Sequence, residues 1–313
     1  MWGVPEKVTI EEMTAPLKTR KWLRRIALYA LIGLGVWWGL CAFVAFGFVH
    51  PVRFAVRHTP AEAGMKFENV KFPSRKDNLT LCGWWIPARK PKGALALFHG
   101  YPGNRGDLIR HAAFLHKAGY SLLLFDFRAL GDSDGTMSTI GYREVDDAEA
   151  ALDYLEARPE VKGLPIGVVG TSMGAAVALQ TAARRPEVRA VIADSSYASL
   201  DRAVDQRFRA YLGNACPVVS GPVQFCGEQY MGVRTATVAP LEAVAKLGER
   251  PVFFIHGTAD IVIRPEDSQL LYDRKPGAKQ LWMVEGAGHI RGLKVAGEKY
   301  RQRVVAFLAQ NMQ

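Results

Sequence analysis

Apolar residues run without a single charge from position 26 to 49, as IALYALIGLGVWWGLCAFVAFGFV. A helix built from this stretch is apolar on every face, so the pattern predicts a membrane span and not an amphipathic surface helix. Twenty-four residues at 1.5 Å each reach about 36 Å, enough for a hydrocarbon core of roughly 30 Å with some tilt. The run is too long for the apolar part of a cleaved signal peptide. Phe46, Phe48 and Val49 also crowd the place where small residues would mark a cleavage site. Leu40 before Cys41 lacks the small residue of a lipoprotein cleavage site. The expectation is an uncleaved anchor at 26–49, followed by a linker at 50–64.

Beyond the linker the period changes. Short β-rich runs occur at 65–72, 79–86, 94–99 and 121–127, with a helical pattern at 107–118. A helix at 144–157 puts Ala148, Leu152 and Leu155 on one face. Apolar strands at 166–170, 188–193, 252–256 and 280–284 then interleave with helices at 173–183 and 295–310. Antiparallel opening strands followed by strand–helix repeats predict an α/β fold. The expected architecture over 65–313 is a mostly parallel, eight-stranded sheet flanked by helices. Between about 199 and 241 the pattern breaks into Arg, Gly, Pro, Tyr and two Cys. That insertion reads as a short cap of irregular helices.

Composition narrows the function classes. With 49% hydrophobic and 22% charged residues, disorder, collagen and coiled coil are excluded. Four cysteines and no CxxC pair argue against a disulfide miniprotein or a zinc knuckle. The net charge of +10 raises the question of nucleic acid. Half of it belongs to the first 58 residues, no basic run or recognition motif follows, and nucleic acid is not an expected partner. The N-terminal charge bears on topology instead. Lys7, Lys18, Arg20, Lys21, Arg24 and Arg25 precede the span, against Arg53, Arg57 and Lys66 in the twenty residues after it. The positive-inside tendency makes 1–25 a cytoplasmic basic tail and sends the rest out of the cytoplasm, into the periplasm of a bacterium.

G-x-S-x-G occurs twice, around Ser133 and Ser172. A nucleophilic serine needs a sharp strand-to-helix turn with small neighbours, and a helix N-terminus whose free N–H groups can meet an oxyanion. Ser172 follows the strand IGVVG and precedes MGAAVALQTAA. Ser133 is followed by Thr136, Met137, Ser138 and Thr139 with no helix, and reads as a polar loop. Serine also needs a base, and the base an orienting acid. His289, in Gly286-Ala-Gly-His just past the last strand, is placed to reach over the sheet's carboxyl edge. His99 and His256 each end a strand in a His-Gly pair, where packing against the turn is the expected role. Asp260 is the expected acid, with Asp194 its rival and Glu266 and Asp267 weaker ones.

The order Ser172, Asp260, His289, with HGYPGN at 99–104, HGTADIVIRP at 256–265 and the final GAGH, resembles the α/β-hydrolase superfamily. It is most similar to the short-cap serine esterase and lysophospholipase-like branch, some of whose members carry a membrane anchor. The loop from Asp126 to Gly135 matches that family's DxRxxGxS-type loop, which makes Ser133 structural. The resemblance implies an oxyanion hole from the backbone N–H groups of Tyr101 and Met173, and no metal or organic cofactor. It implies acyl transfer on carboxylic esters, with small-molecule or lipid-like acyl substrates. A peptidase or amidase, or a thioesterase or acyltransferase, would use the same triad. Phe208, Tyr211, Phe225 and Tyr230 in the cap suggest an apolar acyl site. Cys216 and Cys226, outside the cytoplasm and in an irregular loop, suggest a disulfide holding the cap.

Overall fold

The computed structural model describes residues 17–313. Residues 1–16 of the expected basic tail, Lys7 among them, lie outside the described residues. Helix α1 spans Leu17–Val49, so the basic segment from Lys18 to Arg25 continues directly into the apolar run. It is long and apolar enough to cross a membrane, and Trp22, Leu31 and Phe43 stand exposed along it.

The body that follows is built on one eight-stranded sheet in the order β1-β2-β4-β3-β5-β6-β7-β8. The strands are β1 (Glu68–Pro73), β2 (Thr80–Ile86), β3 (Ala94–Phe98), β4 (Ser121–Phe125), β5 (Ile166–Thr171), β6 (Val188–Asp194), β7 (Val252–Gly257) and β8 (Lys279–Val284). β2 pairs antiparallel with β1 and β4, and every other pair is parallel. The central strands are buried on both faces, which is why Ala94–Phe98 and Val252–Gly257 read as continuous apolar runs and not as alternation. Covering each fully buried Leu, Ile, Val or Phe contributes about 1.5–3 kcal/mol. Helices α2 (Ile109–Lys117), α3 (Glu144–Glu156) and α4 (Met173–Arg184) connect the first half of the sheet.

After β6 the chain forms the cap as two helices, α5 (Leu200–Leu212) and α6 (Cys216–Met231), in place of the irregular pieces expected. Pro217 sits in the first turn of α6, where its missing N–H costs nothing. This corrects the disulfide expectation. Cys216 and Cys226 are ten residues apart on one helix, about 15 Å along its axis, and both thiols are free. Helices α7 (Pro240–Val244) and α8 (Pro265–Arg274) follow. The expected last helix is two, α9 (Gly292–Ala296) and α10 (Glu298–Asn311), broken at Gly297 with φ +52°.

The segment after α1 is laid against the body that carries the sheet. Tyr101 Oη donates to the Phe48 carbonyl at 2.5 Å, and Ser138 N to the Val49 carbonyl at 2.9 Å. The Arg53 guanidinium donates to the carbonyls of Ser133 and Gly135, and Asn104 Nδ2 to that of Phe54. The end of α1 is therefore held in place relative to the sheet.

Candidate active site

β3 lies between β4 and β5, so consecutive connections leave it in opposite directions. Crevices outside the carboxyl ends of strands at such a switch point are where α/β sheets bind ligands. The chain after β3, His99 to Tyr101, and the turn after β5, at Ser172, both emerge there.

Ser172 has φ 53° and ψ −121°, a strained turn between β5 and α4. The turn forms because its neighbours are glycines. A Cβ on Gly170 would collide with the Gly174 carbonyl, and one on Gly174 with the Phe98 carbonyl. The strain lifts the hydroxyl clear of the sheet. Ser172 Oγ donates to His289 Nε2 at 2.8 Å, and His289 Nδ1 donates to Asp260 Oδ2 at 2.7 Å. Asp260 Oδ1 accepts from the backbone N–H groups of Val262 and Ile263 at 2.9 and 3.0 Å. Burial works against ionising the Asp260 carboxyl. The hydrogen bonds from His256, His289 and Ile263 N outweigh it and hold the group well below the usual carboxylate range.

Tyr101 and Met173 line the cavity beside Ser172. Met173 is the first residue of α4, where N–H groups lack intrahelical partners. The Tyr101 N–H has no acceptor among the described residues. Burial pushes the Tyr101 phenol above its ordinary pKa, so it stays the neutral donor that Phe48 requires.

The other candidates have different partners. Asp194 accepts from Tyr300 Oη at 2.7 Å and Ser195 Oγ at 2.9 Å, and His289 bonds Asp260 instead. Asp267 accepts from Arg202, Gln206 and Ala198 N and fastens the cap. Ser133 is buried, donating to the Asp126 carbonyl and accepting from Cys82 N. His99 is pushed down by burial, and its Nε2 accepts from Phe127 N, so it is a neutral structural imidazole.

His256 does more than pack. Its Nε2 lies 3.2 Å from Asp260 Oδ2 and 3.0 Å from the Ile263 carbonyl, while Ser268 Oγ donates to its Nδ1 at 2.6 Å. Burial would lower its pKa, but the bond to Asp260 outweighs this and raises it. The four-residue interval between His256 and Asp260 across one strand-end turn was the signal for this contact.

Ser172 and His289 open onto a cavity of about 650 Å³, within the range of small-molecule sites. Its walls are apolar: Val44, Ala45 and Phe48 from α1, Leu200 and Phe208 from α5, Val223 from α6. Of the four cap aromatics expected to form an acyl site, Phe208 does line it. Phe225 and Tyr230 pack instead against Trp38 and Phe46 of α1, and Tyr211 is exposed beneath the Arg207 guanidinium.

The chain is similar to solved and curated proteins over most of its length. The Pyrococcus furiosus esterase Pf2001 is 30% identical, with a TM-score of 0.72 over 85% of this chain and 99% of that one. The chain belongs to the α/β-hydrolase superfamily. The hydrolase family model described as Serine aminopeptidase, S33, matches residues 89–220. The Escherichia coli (strain K12) protein YfhR is 30% identical over 77% of this chain and 80% of its own. The Bacillus subtilis (strain 168) protein YqkD is 30% identical over 72% and 74%. This α/β-hydrolase is thus an esterase-like hydrolase.

Proposed function

We propose that this α/β-hydrolase is a membrane-anchored serine hydrolase that cleaves carboxylic esters of amphiphilic acyl compounds. The observation that carries the reading is the continuous hydrogen-bond chain Asp260–His289–Ser172 at the end of an apolar cavity. His289 takes the Ser172 proton as Oγ attacks the ester carbonyl, and Asp260 fixes the imidazole tautomer and stabilises its cation. The N–H groups of Tyr101 and Met173 meet the oxyanion. His289 then protonates the leaving alcohol. Water, deprotonated by His289, resolves the acyl-enzyme to the acid. Leu31 and Phe43, exposed on the uncharged stretch 26–49 of α1, support membrane anchoring through that helix. The six-to-three excess of basic residues before the span supports a catalytic domain outside the cytoplasm. Protease added to intact cells or spheroplasts tests that side: the domain should be cut without lysis, and protection until lysis reverses the orientation.

The match to a serine aminopeptidase family model favours a second reading, peptide or amide cleavage. An aminopeptidase must hold an α-ammonium group, and no Asp or Glu occurs among the described residues lining the cavity. Purified full-length protein in detergent, given p-nitrophenyl acyl esters of graded chain length and aminoacyl-p-nitroanilides, separates the two. Ester turnover with medium or long chains favoured is the expected result. Preferential anilide cleavage would overturn the ester reading and leave the triad standing.

A further inference from the structure

The cap packs along the second half of α1. Val223 of α6 is buried with Cys41 and Ala45 of α1, and Trp37, Val219 and Cys226 close around them. Trp38 meets Phe225 edge-on at 6.0 Å, and Phe46 meets Tyr230 at 5.8 Å. These contacts reach far down the uncharged run. If the basic cluster ending at Arg25 marks one membrane surface, a hydrocarbon core of roughly 30 Å takes about 20 helical residues, from Ile26 to Ala45. Trp38 lies seven residues inside that limit, about 10 Å below it. Phe225, packed on Trp38, lies at the same depth.

The composition of α6 suits that depth. Its first twelve residues, CPVVSGPVQFCG, carry no charge, whereas α5 beside it carries Asp201, Arg202, Asp205, Arg207 and Arg209. Val218 and Phe225 on α6 are 62% and 53% exposed, apolar surface that water would penalise and acyl chains would not. Helical backbone keeps its own hydrogen bonds and tolerates lipid. The cavity at Ser172 shares these walls: Val44, Ala45 and Phe48 on one side, Val223 and Gly227 on the other.

We propose that the first half of α6 is immersed in the leaflet beside α1, and that the site draws its substrate laterally from that leaflet. The substrate class is a membrane lipid with a long acyl ester, its chain lying against α1 and α6 and its ester at Ser172. This rests on the reading of the protein as an anchored serine esterase. The immersed surface replaces transfer of a long acyl chain through water, which is unfavourable for every methylene exposed.

The test reconstitutes the full chain in phosphatidylcholine vesicles carrying a diazirine in the acyl chain, with illumination followed by peptide mass spectrometry. Label on residues 216–227 as well as on α1 is the expected result. Label on α1 alone overturns leaflet immersion and leaves the anchor intact. No label on α1 overturns the anchor and this proposal with it. Val218→Lys, exposed and outside the cavity, gives the kinetic counterpart. It should cut turnover of p-nitrophenyl palmitate dissolved in the vesicles about tenfold or more, because a lysine resists the acyl region. Turnover of water-soluble p-nitrophenyl acetate should hold within about twofold, since Ser172 chemistry is untouched. Equal loss on both esters, or no loss on either, overturns lateral delivery. Failure of wild-type protein on both esters would instead count against the esterase reading.

Discussion

Asp260→Asn isolates the acid from the rest of the site. The four donors around the carboxylate fix what the amide must do. Val262 N and Ile263 N can only donate, so the oxygen of the new side chain must take the Oδ1 position. The amide nitrogen is then left where Oδ2 stood, facing His289 Nδ1 at 2.7 Å and His256 Nε2 at 3.2 Å. A donor facing His289 Nδ1 makes that atom an acceptor and moves the ring proton to Nε2. Nε2 then presents N–H to Ser172 Oγ and cannot take its proton. The expected loss in kcat is on the order of 10⁴-fold, about 5 kcal/mol on the barrier, with the fold retained. Initial rates on p-nitrophenyl butyrate, beside a thermal melt of each variant, make the measurement. Asp194→Asn is the control, since Asp194 bonds Tyr300 and Ser195 and not the base. Asp260→Asn within about tenfold of wild type, or Asp194→Asn the more damaging of the two, would refute the tautomer argument.

Further outcomes follow from other contacts. His256 has a pKa raised in the folded protein, so its stabilisation is fully present below the unfolded value near 6.5 and fades as pH rises through the folded value. The stability gap between wild type and His256→Phe should therefore be wider at pH 5.5 than at pH 9 in urea melts, and a constant gap would contradict the link to Asp260. Arg207 is the only Lys or Arg among the described residues lining the cavity, and it has no carboxylate partner among them. Arg207→Gln should raise KM for an acyl ester with an anionic headgroup about tenfold more than for a neutral monoacylglycerol; equal changes would remove Arg207 from headgroup binding. Mass spectrometry of unreduced, alkylated protein should find Cys216 and Cys226 unlinked, because α6 separates them. A Cys216–Cys226 peptide would show that α6 is not helical there.

The sheet was legible because parallel strands covered on both faces must be apolar throughout, and runs such as Ala94–Phe98 and Val252–Gly257 have no other stable use. The three residues joined by hydrogen bonds at the site came from motif order, and the two G-x-S-x-G turns were told apart by whether a helix followed. The cap was misread for physical reasons. Gly221, Pro222 and Gly227 are poor helix formers, yet α6 is helical through them because one face is packed on α1. Local propensity carries no information about that partner, some 180 residues earlier in the chain. The same contact took Phe225 and Tyr230 from the acyl site and set the two cysteines along one axis. Read only as a packing residue, His256 stands with its Nε2 3.2 Å from Asp260 Oδ2.

A fluorophosphonate probe tests the central claim most directly, because it phosphonylates only an activated serine, forming an Oγ–P bond and releasing fluoride. Wild-type full-length protein in detergent should take up one probe per chain on the peptide that contains Ser172. Ser172→Ala should take up none, and His289→Ala should react far more slowly with its fold unchanged. Labelling of Ser172→Ala at the wild-type rate, or modification of another residue in the wild type, would contradict the account.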